Sequence, residues 1–95
     1  MSAKAISVAW FQLGRIVGTA SAVTAIPQDE ILLALQRHQT GDWGEVERDD
    51  RAENERSLLE GERLVSIYRS LAGVKFYIIT EANRLQTTAM LPEDY

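Results

Sequence analysis

His38, Arg63, Ser66, Tyr68, Arg84 and Thr88 are the side chains of this sequence whose types and spacing can do chemistry. His38 is the only histidine. An imidazole titrates near neutrality, at about 6.5, and so suits general-base work. Arginines neutralise a phosphate, and a tyrosine or threonine hydroxyl assists in proton transfer. Together these are the parts of a metal-independent ribonuclease. Each part also has a structural explanation. His38 falls near the end of a helical stripe, where an imidazolium meets the negative end of the helix dipole. Threonine and tyrosine are good strand residues. Ser66 and Tyr68 are two apart and share a strand face, whereas Arg63 falls on the opposite face, which counts against one joint site. Arg63 is also placed to pair with the acids that precede it.

A second group of residues suits binding rather than catalysis. Gly41-Asp42-Trp43-Gly44 is a tight turn with a large anchor. Asp42 suits bonds to nearby backbone amides, and Trp43 suits a plug for the edge of the core, or an exposed hot spot for a partner. From Gly41 to Glu62 the chain holds nine acids and three arginines, a local charge of −6 within a net charge of −4. Such a block disfavours nucleic acid as the main partner. Its Asp49-Asp50 pair does not follow calcium-loop spacing, and no metal or cofactor is expected. Glu45, Glu47, Asp49 and Asp50, with Tyr68 and Tyr77 on the sheet, form the expected protein-docking surface.

The elements that must position these groups follow from periodicity. With 95 residues the chain makes one domain, and 45% hydrophobic with 25% charged residues marks a globular one. There is no cysteine, so disulfides and thiolate metal sites are excluded and a cytoplasmic location is expected. Ala5 to Phe11 is the longest apolar stretch, preceded only by Lys4, and neither a membrane span nor a signal peptide is expected. Residues 1–9 read as a loose leader. Trp10 to Thr19 alternates as a first strand, and Thr19 or Ser21 can cap a short helical turn ending near Ile26.

Pro27 suits a first helical position, with Asp29 and Glu30 in the first turn. Ile31, Leu35 and His38 form one stripe, and Gly41 ends that helix. A second helix is expected from about Glu47 to Glu60, closed by Gly61, with a thin apolar edge of Ala52, Leu58 and Leu59 and with Asn54 at the margin. Three strands follow, Arg63 to Ser70, Val74 to Glu81 and Gln86 to Leu91, linked by turns short enough for an antiparallel meander. On the middle strand Val74, Phe76, Ile78 and Thr80 share one face, and Lys75, Tyr77, Ile79 and Glu81 the other, so both faces are expected to be covered in part. The expected fold class is α+β: two helices packed on a small antiparallel sheet of three to four strands. The expected core joins Ile31, Leu35, Leu59, Ile67, Phe76 and Ile78.

Several of these segments carry a resemblance. Leu13-Gly14-Arg15-Ile16-Val17, His38 with Gly41-Asp42-Trp43-Gly44, Asp50-Arg51-Ala52-Glu53-Asn54, Ile78-Ile79-Thr80-Glu81 and the Leu91-Pro92-Glu93-Asp94-Tyr95 ending are part of it, as are Arg63 with Ser66 and Tyr68, and Arg84 with Thr87-Thr88. Over Leu13 to Tyr95 the chain resembles small proteins borne on plasmids and integrative elements of proteobacteria. These are often labelled "type I restriction enzyme subunit M-like" or "plasmid-related protein". That label implies a methyltransferase, but the sequence has neither a glycine-rich strand-to-helix turn nor an Asn-Pro-Pro-aromatic motif. The family's usual Glu-Ala-Asp-Arg-Ser reads Glu81-Ala82-Asn83-Arg84-Leu85 here, without the second acid and the hydroxyl. The order of helices and meander is also similar to barnase-like and RelE-like ribonucleases, by architecture alone. Two functions are therefore carried forward. One is a non-enzymatic accessory of a mobile element that binds a protein partner, such as a host-defence component, as a monomer or homodimer. The other is a small metal-independent ribonuclease or a degenerate relative.

Overall fold

A computed structural model describes residues 8–95; of the expected leader, residues 1–7 lie outside that range. In chain order the elements are β1 (Arg15–Gly18), α1 (Ala20–Ala25), α2 (Gln28–Gln39), α3 (Arg48–Glu60), β2 (Leu64–Arg69), β3 (Lys75–Thr80), β4 (Gln86–Met90) and a 3-10 turn (Pro92–Asp94). This is an α+β domain. Its helix ends follow local chemistry. The Thr19 hydroxyl accepts from the Ala22 amide at 3.2 Å and so caps α1. In α2, Asp29 and Glu30 occupy the first turn and Arg37 and His38 the last; Pro27 stands one place earlier than expected, at the cap. Gly61 closes α3 in the left-handed region, at φ 71°.

The sheet has the order β1-β4-β3-β2. Strands β2, β3 and β4 form the antiparallel meander, with β3 inside it. The first strand differs from expectation in two ways. It covers only Arg15–Gly18 rather than Trp10 to Thr19, and it pairs with β4 in parallel, so the four-stranded sheet is mixed. Alternation of apolar residues fixes which side chains share a face, and says nothing about strand direction. The excursion through three helices gives the chain the length that a parallel return requires.

Register sorts the side chains. Leu64, Ser66 and Tyr68 stand opposite Thr80, Ile78 and Phe76, and of these Thr80 and Ile78 face Thr87 and Ala89 on the other side. This inner face packs under α1 and α2, in a core that includes Ala22, Ile26, Leu35, Tyr68, Phe76 and Ile78. A second cluster joins Trp43, Val46 and Leu64, flanked by Phe11, Leu58 and Ile67. Trp43 therefore does plug the core edge. Val65, Ile67, Tyr77, Ile79 and Thr88 share the outer face. There Ile79 is buried and Tyr77 half-buried, so β3 is covered in part on both sides, as its two apolar rows require.

Of the expected core, Leu35, Phe76 and Ile78 are buried together, Ile31 packs against them, and Ile67 joins the second cluster. Leu59 corrects the list: it is 90% exposed. The expected apolar edge of α3 is corrected with it. Ala52 is exposed and Leu58 only half-buried, while Asn54 and Ser57 are the buried residues of that helix. Helix α3 lies along the edge of β2, where the unmet need is for hydrogen-bond partners rather than apolar cover.

Candidate functional site

The buried polar groups of the inner face form one directed chain. Thr87 Oγ1 donates to the Leu13 carbonyl at 2.7 Å, and a carbonyl can only accept. The single Thr87 proton is thereby engaged, so in the 2.7 Å contact with Thr80 it is Thr80 that donates. Thr80 must then accept from His38 Nε2–H, at 2.9 Å. His38 Nδ1 is left as an acceptor, and Ser66 Oγ–H donates to it at 2.5 Å. The tautomer is fixed by the carbonyl at the far end of the chain. Ser66, His38, Thr80 and Thr87 are all fully buried at 0% exposure. Burial, and then the nearby charge of Arg84, push the His38 pKa down to about 3. The ring packs edge-on against Phe11, at 5.2 Å between centroids, and against Trp43, at 5.6 Å.

Here His38 is a buried member of the α2 stripe rather than an imidazolium at a helix end. Both ring nitrogens are engaged, the ring is neutral at physiological pH, and no face of it reaches solvent. Ser66 beside an imidazole has the form of a nucleophile–base pair, but it is equally sealed. The chain links β2, α2, β3, β4 and the segment before β1, and so ties the fold together. Thr80 and Thr87 belong to the chemically able side chains of the sheet, and they complete this chain. Their signal was the parity that puts Thr80 in the Phe76–Ile78 row.

The other candidates lie outside this buried chain. Arg84 sits in the β3–β4 turn at φ 61°. Its guanidinium donates to the carbonyls of Ser57, Glu62 and Glu81. Helix α3 has no basic residue in its own last turn, and Arg84 supplies that charge from a distant turn. Arg63 corrects the expected pairing with the acids of α3: it lies over the Tyr95 ring and donates to the Tyr95 hydroxyl. Arg84 also lies over the Phe11 ring that packs on His38, so these two share a neighbourhood, whereas Arg63 lies on the Tyr95 ring. Thr88 is half-buried on the outer face, and its neighbour Thr87 is the hydroxyl in the chain. Tyr68 corrects its place in the docking surface. It is buried on the inner face, donates to the Asp42 carbonyl at 2.5 Å, and lies under the Arg37 guanidinium. Burial pushes its hydroxyl pKa well up.

The turn that holds Asp42 is itself anchored. Arg37 Nε–H donates to the Asp42 carboxylate at 2.7 Å, and the Gly44 amide donates to it at 3.2 Å. Both bonds hold that carboxyl below its usual range, the arginine most strongly.

The outer edge of β2 is closed by two devices. The Ile67 amide donates to the Trp43 carbonyl at 3.1 Å, and the Glu45 amide donates to the Ile67 carbonyl at 2.7 Å. Gly44 makes that approach possible: it lies in the left-handed region, and a Cβ there would fall 2.0 Å from the Ile67 carbonyl oxygen. One step along, the Asn54 side chain donates to the Val65 carbonyl at 2.7 Å and accepts from the Val65 amide at 3.0 Å. A single carboxamide thereby stands in for a neighbouring strand.

Beyond that edge the outer face opens into a groove of about 610 Å³. Its floor is Val65, Ile67 and Tyr77. Asp50 and Glu53 of α3 form one wall, and Arg63 and Tyr95 stand at the other side. Tyr77 and Tyr95 meet edge to face at 5.9 Å. The Tyr95 segment is held by Asp94, which accepts from Thr19 Oγ1 at 2.7 Å, from Ser21 Oγ at 2.5 Å and from the Leu91 amide at 2.9 Å. Of the expected docking acids, Glu45, Glu47, Asp49 and Asp50 are all exposed, and Glu45 pairs with Arg69 at 3.0 Å. Among the described residues, no three His, Asp or Glu side chains gather as a metal-holding group. No helix among them is long and apolar enough to cross a membrane.

Comparison of the chain with known protein families, with curated proteins and with solved structures finds no match.

Proposed function

We propose that this protein works by binding another protein rather than by catalysis, through the acidic side of α3 and the groove beside it. The observation that carries this reading is the engagement of the sheet's chemical groups: His38, Ser66, Thr80 and Thr87 satisfy one another out of reach of solvent. The exposed carboxylates and the open apolar floor lie elsewhere, on the outer side. An acidic surface of this kind accelerates capture of a basic partner, with a salt dependence set by screening over about 8–10 Å. The sequence resemblance makes the partner a component met by a mobile element in its host, with a host-defence protein as the target class.

The test is association kinetics with a captured partner across a salt series. Changing Glu45, Glu47, Asp49 and Asp50 to their amides should leave stability nearly unchanged, slow association and flatten the salt dependence. Unchanged rate and salt slope would remove the acidic face from the account. The ribonuclease reading has its own assay. Purified protein should leave RNA intact without metal, and cleavage abolished by both His38→Ala and Arg84→Ala in folded protein would overturn the binding reading.

A further inference from the structure

The groove and the closed β2 edge together restrict what can bind there. Backbone pairing to β2 is blocked along the groove, because Val65 and Ile67 already have their edge-facing groups engaged by Asn54, Trp43 and Glu45. Recognition must therefore come from side chains entering the groove. The floor of Val65, Ile67 and Tyr77 offers apolar contact to a long aliphatic stem. The polar rim carries the carboxylates of Asp50, Glu53 and Glu62 against one guanidinium, that of Arg63. Arg63 is already laid on the Tyr95 ring, and Glu53 is paired with Arg56 on its own helix. Asp50 and Glu62 make no ion pair among the described residues. The rim is thus left with an excess of negative charge beside a floor of two aliphatic side chains and Tyr77, whose ring Lys75 approaches at 6.0 Å.

We infer that this groove receives an arginine side chain from a basic segment of the partner protein. Its methylenes lie along Val65, Ile67 and Tyr77, and its guanidinium sits between Asp50 and Glu53, drawing Glu53 from its exposed pair with Arg56. Arginine fits better than lysine, because a planar guanidinium stacks on tyrosine and forks to carboxylates, whereas an ammonium is a compact hydrated charge. The cavity volume falls in the range of sites that enclose a small ligand, which is ample for one such side chain and its neighbours. This inference rests on the binding-module reading and specifies its recognition chemistry.

The probe is a blocked pentapeptide, Ala-Leu-Arg-Leu-Ala, titrated at low salt into the isotope-labelled full chain and followed by amide shifts. Matched peptides carry lysine or the neutral isostere citrulline at the centre. The expected result is shifts centred on Glu53, Val65, Ile67 and Tyr77, with citrulline binding at least tenfold more weakly and lysine in between. A Glu53→Gln/Glu62→Gln chain, which shares no residue with the four-amide variant, should fold normally and lose at least fivefold in affinity for the arginine peptide. Shifts elsewhere, equal binding of arginine and citrulline peptides, absence of binding, or self-association through this face would each overturn the inference. Any of these, together with a normal effect of the four-amide variant on partner capture, would leave the binding-module reading standing without this groove.

Discussion

On the inner face of the sheet, Ser66, Thr80 and Thr87 point at one histidine and at one another. On the outer face, Val65, Ile67 and Tyr77 point at the space between a helix and the C-terminal turn. Strands β2 and β3 supply members of both sets, and the odd spacing between them puts the sets on opposite faces. The residues with the most varied chemistry lie inside, where they satisfy one another away from solvent. The face built largely of apolar and surface-charged residues keeps its groups available. In this molecule parity along the strand, more than residue type, decides whether a polar group is sealed in the fold or left open on the surface.

The comparison is broken most directly by removing the centre of the inner chain. His38→Ala leaves Ser66 and Thr80 without their partner and opens a cavity in a close-packed region. Loss of about 3–5 kcal/mol is expected in denaturant unfolding. A loss under about 0.5 kcal/mol, the range of surface changes, would show that the inner face is not what holds the fold. Asn54→Ala strips the edge cover from Val65 and should cost about 1–3 kcal/mol, in the range of leaving partly buried donors and acceptors unmet. A neutral result there would mean that water replaces the carboxamide without cost.

Acid pH probes the same chain without mutation. The unfolded chain takes up a proton on His38 near its ordinary pKa of about 6.5, whereas the folded site resists it down to about 3. This group has no effect on stability well above pH 6.5. Below that value the unfolded state binds the proton that the folded state refuses, so stability falls as pH falls toward 3. The slope is about 1.4 kcal/mol per unit, or about 2 kcal/mol between pH 8 and pH 5. Carboxylates titrate mostly below that window, and His38 is the only histidine, so the loss can be assigned to it. A flat profile from pH 8 to pH 5 would contradict a buried neutral imidazole. The smallest expected effect is on the outer face, where Glu53→Gln/Glu62→Gln should change stability by no more than about 0.5 kcal/mol. A larger loss would make those acids structural and blur the contrast between the faces.

Much of this architecture was legible in the residues. The Ile31–Leu35–His38 stripe, the glycines that close the second and third helices, and the split of β3 into two rows follow from periods of 3.6 and 2. The same parity put Arg63 on the face opposite Ser66. Other features depend on partners distant in the chain and leave no periodic trace. The parallel direction of β1 is one. Another is α3, whose polar Asn54 and Ser57 are buried while Leu59 is exposed, because the helix completes a strand edge instead of capping an apolar surface. Tyr68 was expected on the docking surface, yet the face it shares with Ser66 is the buried one. Arg84 read as a candidate cation, although its place is to complete a helix end that lacks one of its own.

The most direct measurement is the imidazole nitrogen spectrum of His38 as a function of pH. The account predicts one tautomer, with Nε2 protonated and Nδ1 bare, unchanged from pH 8 down to pH 5 while the protein remains folded. A ring that titrates between pH 6 and 7, or that exchanges between tautomers, would place His38 in contact with solvent and return it to the candidates for catalysis.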